Sequence, residues 1–206
     1  MANNNQIYKF SNAGGFKSLT RYYDMLAGNT VWNPWEPDGA FDALSTVTVP
    51  SGGLASVTFA AIPNTYKHLQ IRTFARGTSS DTYFSTTFNS DSAANYSWHQ
   101  LFGDGSSAGA SGGASATSMV GVQFTNTASV FNAGIIDVLD YASTSKAKTV
   151  KSLGGFDANG SGKIILRSGA WYKNTSSVYD AVTSITLTPA VGTIEQFSQF
   201  TLYGVK

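Results

Sequence analysis

Residues 67–75 read Lys-His-Leu-Gln-Ile-Arg-Thr-Phe-Ala, and this stretch shows the pattern that decides the fold. Leu69 and Ile71 alternate along it with polar side chains. Successive side chains of a strand point to opposite faces, so the pattern predicts a strand with one buried and one exposed face. The same alternation recurs, between turn residues, along the rest of residues 45–206.

Residues 45–206 therefore contain about ten or eleven short strands, rich in β-branched and aromatic residues. No helical period of useful length appears after Leu44. We predict an all-β fold, an antiparallel β-sandwich that is jelly-roll-like. Residues 103–117 contain mainly Gly, Ala, Ser and Thr, and we predict a long loop there.

The first 44 residues form a separate segment in composition. Apolar side chains recur there at the spacing of a helix, which predicts one short helix near residues 16–27. Two tryptophans follow in a proline-rich stretch that excludes regular structure. We therefore predict an arm for attachment or assembly at residues 1–44, ahead of a β-sandwich domain at residues 45–206. The predicted anchors of the arm are Phe16, Leu19, Tyr22, Trp32 and Trp35.

The composition excludes several classes of partner and site. The 206 residues include 13 Lys or Arg and 12 Asp or Glu, so the formal net charge is +1. This balance provides no basic surface for nucleic acid. With two His and no Cys, neither a Cys/His zinc site nor a disulfide can form. Residues 1–6 are polar and no apolar run reaches the ~20 residues of a membrane span, so we expect neither a secretion signal nor a membrane partner.

The stretch Gly155–Lys163 has features of a phosphate loop and of a calcium loop, but it lacks an essential feature of each. A serine and a glycine interrupt the Gly-Lys pair of the phosphate loop, and a strand rather than a helix follows. Asp157, Asn159 and Ser161 have the spacing of oxygen ligands, but the twelfth position of the loop is a serine instead of glutamate. A hairpin turn at 157–162 is the favoured interpretation, and we predict no metal and no cofactor.

The chain offers few residues for catalysis. His68 and His99 are its two histidines, and a surface or packing role is the default interpretation of both. Asp137 and Asp140 lie three residues apart at a strand end, which is more typical of a solvated end than of a glycosidase acid/base pair. We therefore predict that the chain is not an enzyme and has no catalytic residue.

Two tryptophans of the domain have alternative interpretations. Trp98 and Trp171 could stack on a sugar, as aromatic residues do in carbohydrate-binding modules. They could equally cover one end of a sandwich core. The core interpretation is favoured, and glycan contact at these two residues is kept as the alternative.

Several stretches of residues 45–206 resemble a group of small β-rich virion proteins of tailed bacteriophages. The resemblance lies in the sequences of strands and turns and includes no catalytic motif. It also extends to residues 16–28, which are similar to the arm that precedes this domain in such proteins. The stretches that carry it are Ala60–Arg72, Asn89–Ser97, Leu101–Gly105, Ile136–Tyr141, Leu153–Phe156 and Gln199–Gly204.

The resemblance implies a homotrimeric, jelly-roll-like protein on the outer surface of a phage particle, made in the host cytoplasm. The first compatible role is a head decoration (cement) protein that binds the major capsid protein or another virion protein and stabilises the head. The second is a tail fibre or adhesin that binds a host-surface glycan. We expect the decoration role, with the arm as the attachment element.

Overall fold

The computed structural model describes residues 39–79 and 82–206. Within these residues the chain has fourteen strands and no helix. The strands are β1 (Phe41–Thr48), β2 (Val57–Phe59), β3 (His68–Ala75), β4 (Thr82–Phe88), β5 (Tyr96–Gly103), β6 (Ala108–Ala116), β7 (Met119–Phe124), β8 (Asn132–Leu139), β9 (Lys148–Asp157), β10 (Gly162–Trp171), β11 (Asn174–Thr175), β12 (Val178–Tyr179), β13 (Ile185–Pro189) and β14 (Gln199–Val205).

The strands form one large and one small sheet, both antiparallel. The large sheet has eight strands in the order β1-β14-β3-β8-β9-β10-β5-β6. The small sheet has four strands in the order β2-β13-β4-β7. β11 and β12 form a separate two-stranded hairpin. The predicted all-β, antiparallel fold is thereby confirmed.

The hydrophobic core lies between the two sheets. β7 of the small sheet lies against β8, β9 and β10 of the large one. The ring of Phe84 packs against Phe124 at a centroid distance of 4.6 Å and edge-on against Phe200, on the opposite sheet, at 5.3 Å. All three rings are fully buried. This arrangement of two packed sheets is consistent with a β-sandwich.

The strand at residues 67–75 has the two faces that its sequence predicts. Leu69 and Ile71 are fully buried against the small sheet. Gln70 and Arg72 point to the opposite face, which we call the outer face of the large sheet. Because the pairings from β3 through β8, β9 and β10 to β5 are antiparallel and without register shifts, the same alternation continues across these strands.

Residues 103–117 are not the long loop that the sequence predicts. Residues 108–116 form β6, the edge strand of the large sheet, which pairs with β5. Its small residues are required by the neighbouring rings, because a Cβ atom at Gly113 would lie 2.9 Å from Trp98 Nε1 and one at Gly109 would lie 2.5 Å from Phe102 Cζ. Backbone pairing and large neighbouring rings support this strand, rather than burial of its own side chains.

Two further features lie at or beyond the predicted domain boundary. β1 begins at Phe41, so residues 41–44, which the sequence assigns to the arm, belong to the large sheet. The predicted helix near residues 16–27 lies outside the described residues. So do the five predicted anchors, Phe16, Leu19, Tyr22, Trp32 and Trp35.

Candidate functional site

Four exposed aliphatic side chains cross the middle of the outer face in one row. Ile135, Leu153, Leu166 and Leu101 are successive cross-strand partners on β8, β9, β10 and β5. Their exposed fractions are 39%, 47%, 42% and 60%. We call this set the aliphatic row. An antiparallel sheet with a solvated face normally presents polar side chains on it, so a contiguous apolar row is a candidate interaction surface.

The positions on one side of the row carry opposite charges. Asp137 and Lys151 are direct cross-strand partners, and they lie two residues along β8 and β9 from the pair Ile135 and Leu153. Asp137 also accepts a hydrogen bond from Gln70 Nε2 at 2.8 Å. Arg72 stands at the β3 end of the row, with its guanidinium 4.7 Å from the Tyr203 ring centroid. Polar side chains at the edge of an apolar surface are common in protein interfaces.

A groove of ≈ 780 Å³ opens beside the aliphatic row. Ala133 and Gly155 are cross-strand partners and leave its floor almost without side chains. Ile135 and Leu153 of the row form one wall, and Ile164 stands next to Gly155 on β10. The groove is therefore an apolar depression in an otherwise continuous sheet face. Its volume lies in the range of pockets that hold small ligands or inserted side chains.

Three glycines in and beneath the groove are in close contact with their surroundings. A Cβ atom at Gly134 would lie 2.7 Å from Val122 Cγ1, and one at Gly154 would lie 3.3 Å from the same atom. At Gly155 a Cβ atom would lie 2.6 Å from the Lys163 carbonyl oxygen. Gly134 and Gly154 thus make room for the core on the inner face, whereas the missing side chain at Gly155, beside the small Ala133, leaves the outer-face floor open.

Two hairpin turns form one end of the groove and carry carboxylates. In the turn after β5, the N–H groups of Ser107 and Ser106 donate to Asp104 and lower the pKa of this exposed carboxyl to about 2. In the turn after β9, Asp157 Oδ1 accepts the Gly160 N–H at 2.9 Å. This second turn is the hairpin predicted at 157–162. Each carboxylate is thus engaged by its own turn.

The two basic residues of the groove contact aromatic rings. Lys163 Nζ lies 5.3 Å from the centroid of Phe102, and Arg72 lies over the rings of Phe41 and Tyr203. The groove is therefore lined by two basic side chains and by the two carboxylates of the turns. The rim has no excess of one charge, which favours an apolar occupant over an anion or a cation.

A strongly exposed aromatic residue lies on the loop before β14. Phe197 is 68% exposed and has a φ of 70°. The Ser198 N–H donates to the Glu195 carbonyl at 3.3 Å, which closes a turn with Phe197 at its third position. That position with positive φ favours glycine. A bulky residue there carries backbone strain of about 1–2 kcal/mol.

Hydrogen bonds hold this turn in place. The Phe197 N–H donates to the Val49 carbonyl at 3.1 Å. Ser198 Oγ donates to the Arg76 carbonyl at 3.2 Å and accepts the Arg76 N–H at 3.0 Å. The Phe197 ring is therefore presented to the outside by a fixed backbone. Backbone strain held in this way by its surroundings is frequently associated with function.

The two tryptophans considered for sugar stacking differ in exposure. Trp171 is 1% exposed, and its Nε1–H donates to Asp91 Oδ2 at 2.7 Å. Its ring therefore presents no face on which a sugar could stack. Trp98 is partly buried, packs against the core and has Gly113 of β6 beside its ring. Both positions agree with the interpretation that these residues cover the core.

Asp91 is the polar centre of the loop between β4 and β5. Burial alone would raise its pKa, but hydrogen bonds from Trp171, Asn95 and the Ala93 N–H outweigh burial and leave the pKa below its ordinary value. The ionised carboxylate thus ties this loop to β10. The role is structural, because the donors saturate the carboxylate.

The remaining polar candidates are engaged in local contacts. His68 Nδ1 accepts the backbone N–H of Asp140 at 2.9 Å, and the Asp140 carboxylate forms an ion pair with Lys146. His99 is exposed on the outer face of β5. Within residues 39–79 and 82–206, no three His, Cys, Asp or Glu side chains come together as a metal site. The same residues include no helix long and apolar enough to cross a membrane.

Comparisons with protein-family models, with curated proteins and with solved structures find no match for this chain. They provide no further support for the resemblance to phage virion proteins.

The aliphatic row, the groove and Phe197 are not among the site residues that the sequence predicts. The one sequence feature that could have indicated the row is the presence of consecutive apolar residues on a strand. Such runs place apolar side chains on both faces, whereas strict alternation places them on one face. They occur at Ile135-Ile136 and at Ile164-Ile165-Leu166. The groove and the exposure of Phe197 depend on how distant strands and turns meet, so no local pattern indicates them.

Proposed function

We propose that this chain is a non-enzymatic structural protein that works as a subunit of a multi-subunit particle. The observation that carries the proposal is the aliphatic row. It exposes four adjacent aliphatic side chains on the face of a rigid sheet. Burying such a row between subunits stabilises an assembly through the hydrophobic effect. A low charged fraction of 12% supports the same role, because charged residues are depleted at interface centres.

The particle that we propose is a tailed phage head, on whose outer surface the chain acts as a homotrimeric decoration protein. The sequence resemblance described above supports this step. In this proposal the arm attaches the trimer to the major capsid protein or another virion protein. The jelly-roll connectivity that the resemblance implies remains a prediction.

Deleting residues 1–38 tests the attachment role of the arm. The deletion ends before β1, which begins at Phe41 and pairs with β14, so the large sheet keeps all its strands. We expect a folded domain with an unchanged strand content by circular dichroism. Mixed with particles that lack this protein, the full chain should co-sediment and the deleted chain should remain in the supernatant. Equal co-sedimentation would remove the arm from the proposal.

The alternative function is a tail fibre or adhesin that binds a host-surface glycan. The groove favours it, because an apolar depression with two carboxylate-bearing turns at one end offers a sugar both a packing surface and polar partners. An array of bacterial surface polysaccharides tests this function. Binding that an Ile164→Asp variant loses would favour the adhesin, whereas an array without any binding would exclude the groove as a glycan site.

A further inference from the structure

We propose that Phe197 of one copy inserts into the groove of a second copy of this chain. The inference names the contact between the copies of the proposed trimer and therefore rests on that part of the proposed function. It does not require the phage particle itself.

Phe197 has the properties of an anchor residue. Its ring is 68% exposed, and the backbone that carries it is fixed by hydrogen bonds to Val49 and by the Glu195–Ser198 turn. An aromatic side chain on a rigid backbone loses little conformational entropy on binding. Residues of this kind dominate the binding energy of interfaces. The strained backbone at Phe197 gains an explanation if the exposed ring is required for a contact.

The groove has the properties of the matching receptor site. Its floor of Ala133 and Gly155 has room for a ring, and its walls of Ile135, Leu153 and Ile164 are aliphatic. The volume of ≈ 780 Å³ accommodates an aromatic side chain together with its adjoining backbone. Because these walls are otherwise exposed, an inserted ring would remove apolar surface of both copies from water.

The charges around the two surfaces are compatible with insertion. The 190–198 loop exposes two large apolar side chains, Phe197 and, six residues before it, Val191, which is 60% exposed. Glu195, the charged residue of this loop, lies 3.5 Å from Arg76 in an ion pair. The groove rim carries two positive and two negative side chains. No uncompensated charge is therefore buried when the loop enters the groove.

We assign the occupant to a second copy, since each chain offers an exposed ring and an unfilled apolar groove, with no net charge at the groove rim to oppose the contact. The ring is exposed in its own chain and so does not fill that chain's groove. A contact between two different surfaces of identical chains is heterologous and can close into a ring of copies. Such a ring agrees with the trimer that we propose.

Mass measurement of complementary variants tests the contact. Phe197→Asn removes the ring, and Asn tolerates the positive φ of this position. Ala133→Trp fills the groove from its floor. By sedimentation velocity of the full chain, we expect the unchanged protein to form an oligomer. Each variant should raise the dissociation constant at least about thirtyfold.

Mixing the two variants gives the decisive result. The Phe197→Asn chain keeps a groove and the Ala133→Trp chain keeps a ring, so the mixture should form a heterodimer at a concentration at which each variant alone is monomeric. Matched controls are Val191→Asn, on the same loop, and Thr149→Trp, on the same face of β9. Both controls should associate as the unchanged chain does.

Two results would overturn the inference, and they differ in what else they affect. If the variants keep the mass of the unchanged oligomer, this contact is wrong while the trimer stands. If the unchanged chain is a monomer at all accessible concentrations, both the contact and the trimer are wrong. A variant mixture that stays monomeric would also contradict the contact, because complementary surfaces must recombine.

Discussion

Leu153→Asp is the substitution that most directly tests whether the aliphatic row is buried in an assembly. Leu153 lies at the centre of the outer face, between Ile135 and Leu166, and also forms a wall of the groove. In the single chain its side chain is 47% exposed. Replacing it therefore opens no cavity in the core, and its main effect should fall on association.

The expected magnitude follows from the exposed fraction. About half of the ~1.5–3 kcal/mol available from burying a leucine, roughly 1 kcal/mol, remains to be gained on association. A carboxylate desolvated without a partner opposes association by at least about 2 kcal/mol more. The combined loss of about 3 kcal/mol corresponds to a dissociation constant raised roughly hundredfold.

Sedimentation velocity over a dilution series measures this change, and Thr149→Asp is its control. Thr149 is exposed on the same strand and the same face but lies outside the row, and the register pairs it with Leu139 and Ala170. The control should associate within about threefold of the unchanged chain, as expected for a change of less than ~1 kcal/mol. An unchanged dissociation constant for Leu153→Asp, with the fold intact by circular dichroism, would refute the buried row.

Three further predictions concern the stability of the fold. Trp171→Phe removes the hydrogen bond to Asp91 and leaves a small cavity, so the free energy of unfolding, measured by urea denaturation, should fall by about 2–4 kcal/mol. A fall of less than ~1 kcal/mol would contradict the structural role of this tryptophan. Because the pKa of Asp91 is lower in the folded than in the unfolded chain, its carboxylate stabilises the fold above its ordinary pKa of 3.8. This contribution is lost as pH falls through the folded pKa, and Asp91→Asn should flatten the acid limb of a stability–pH curve. Burial lowers the pKa of Lys148 in the folded chain, so the unfolded chain binds the proton of this lysine more tightly. The free energy of unfolding should therefore rise as pH increases from the folded pKa towards 10.5. Lys148→Met should abolish that rise, as measured by urea denaturation midpoints over this pH range.

The strand pattern of the sequence was informative wherever one face of a strand is buried. Leu69 and Ile71 alternate with polar residues because one side of β3 faces the core and the other faces outward. The edge strand β6 escaped prediction for the opposite reason. It buries little of its own, and its pairing is supported by the backbone and by the rings of Trp98 and Phe102 on β5. A pattern of alternating polar and apolar side chains cannot reveal such a strand.

The candidate site was less accessible from the sequence than the fold. The floor of the groove is open because β8 and β9 place Ala133 beside Gly155, and Gly155 in turn avoids the Lys163 carbonyl oxygen. The pairing of Ala133 with Gly155 joins residues from different strands, which no local pattern indicates. The exposure of Phe197 likewise depends on a turn held by Val49. Tertiary packing, rather than local propensity, determines both features.

The copy number of this chain in purified particles of the phage that encodes it tests the proposed function most directly. Quantitative mass spectrometry against the major capsid protein gives that ratio. We predict hundreds of copies per particle, near parity with the shell protein, as a decoration lattice requires. A few to a few tens of copies would contradict the decoration role and favour the tail. Absence from the particles would contradict the virion proposal as a whole.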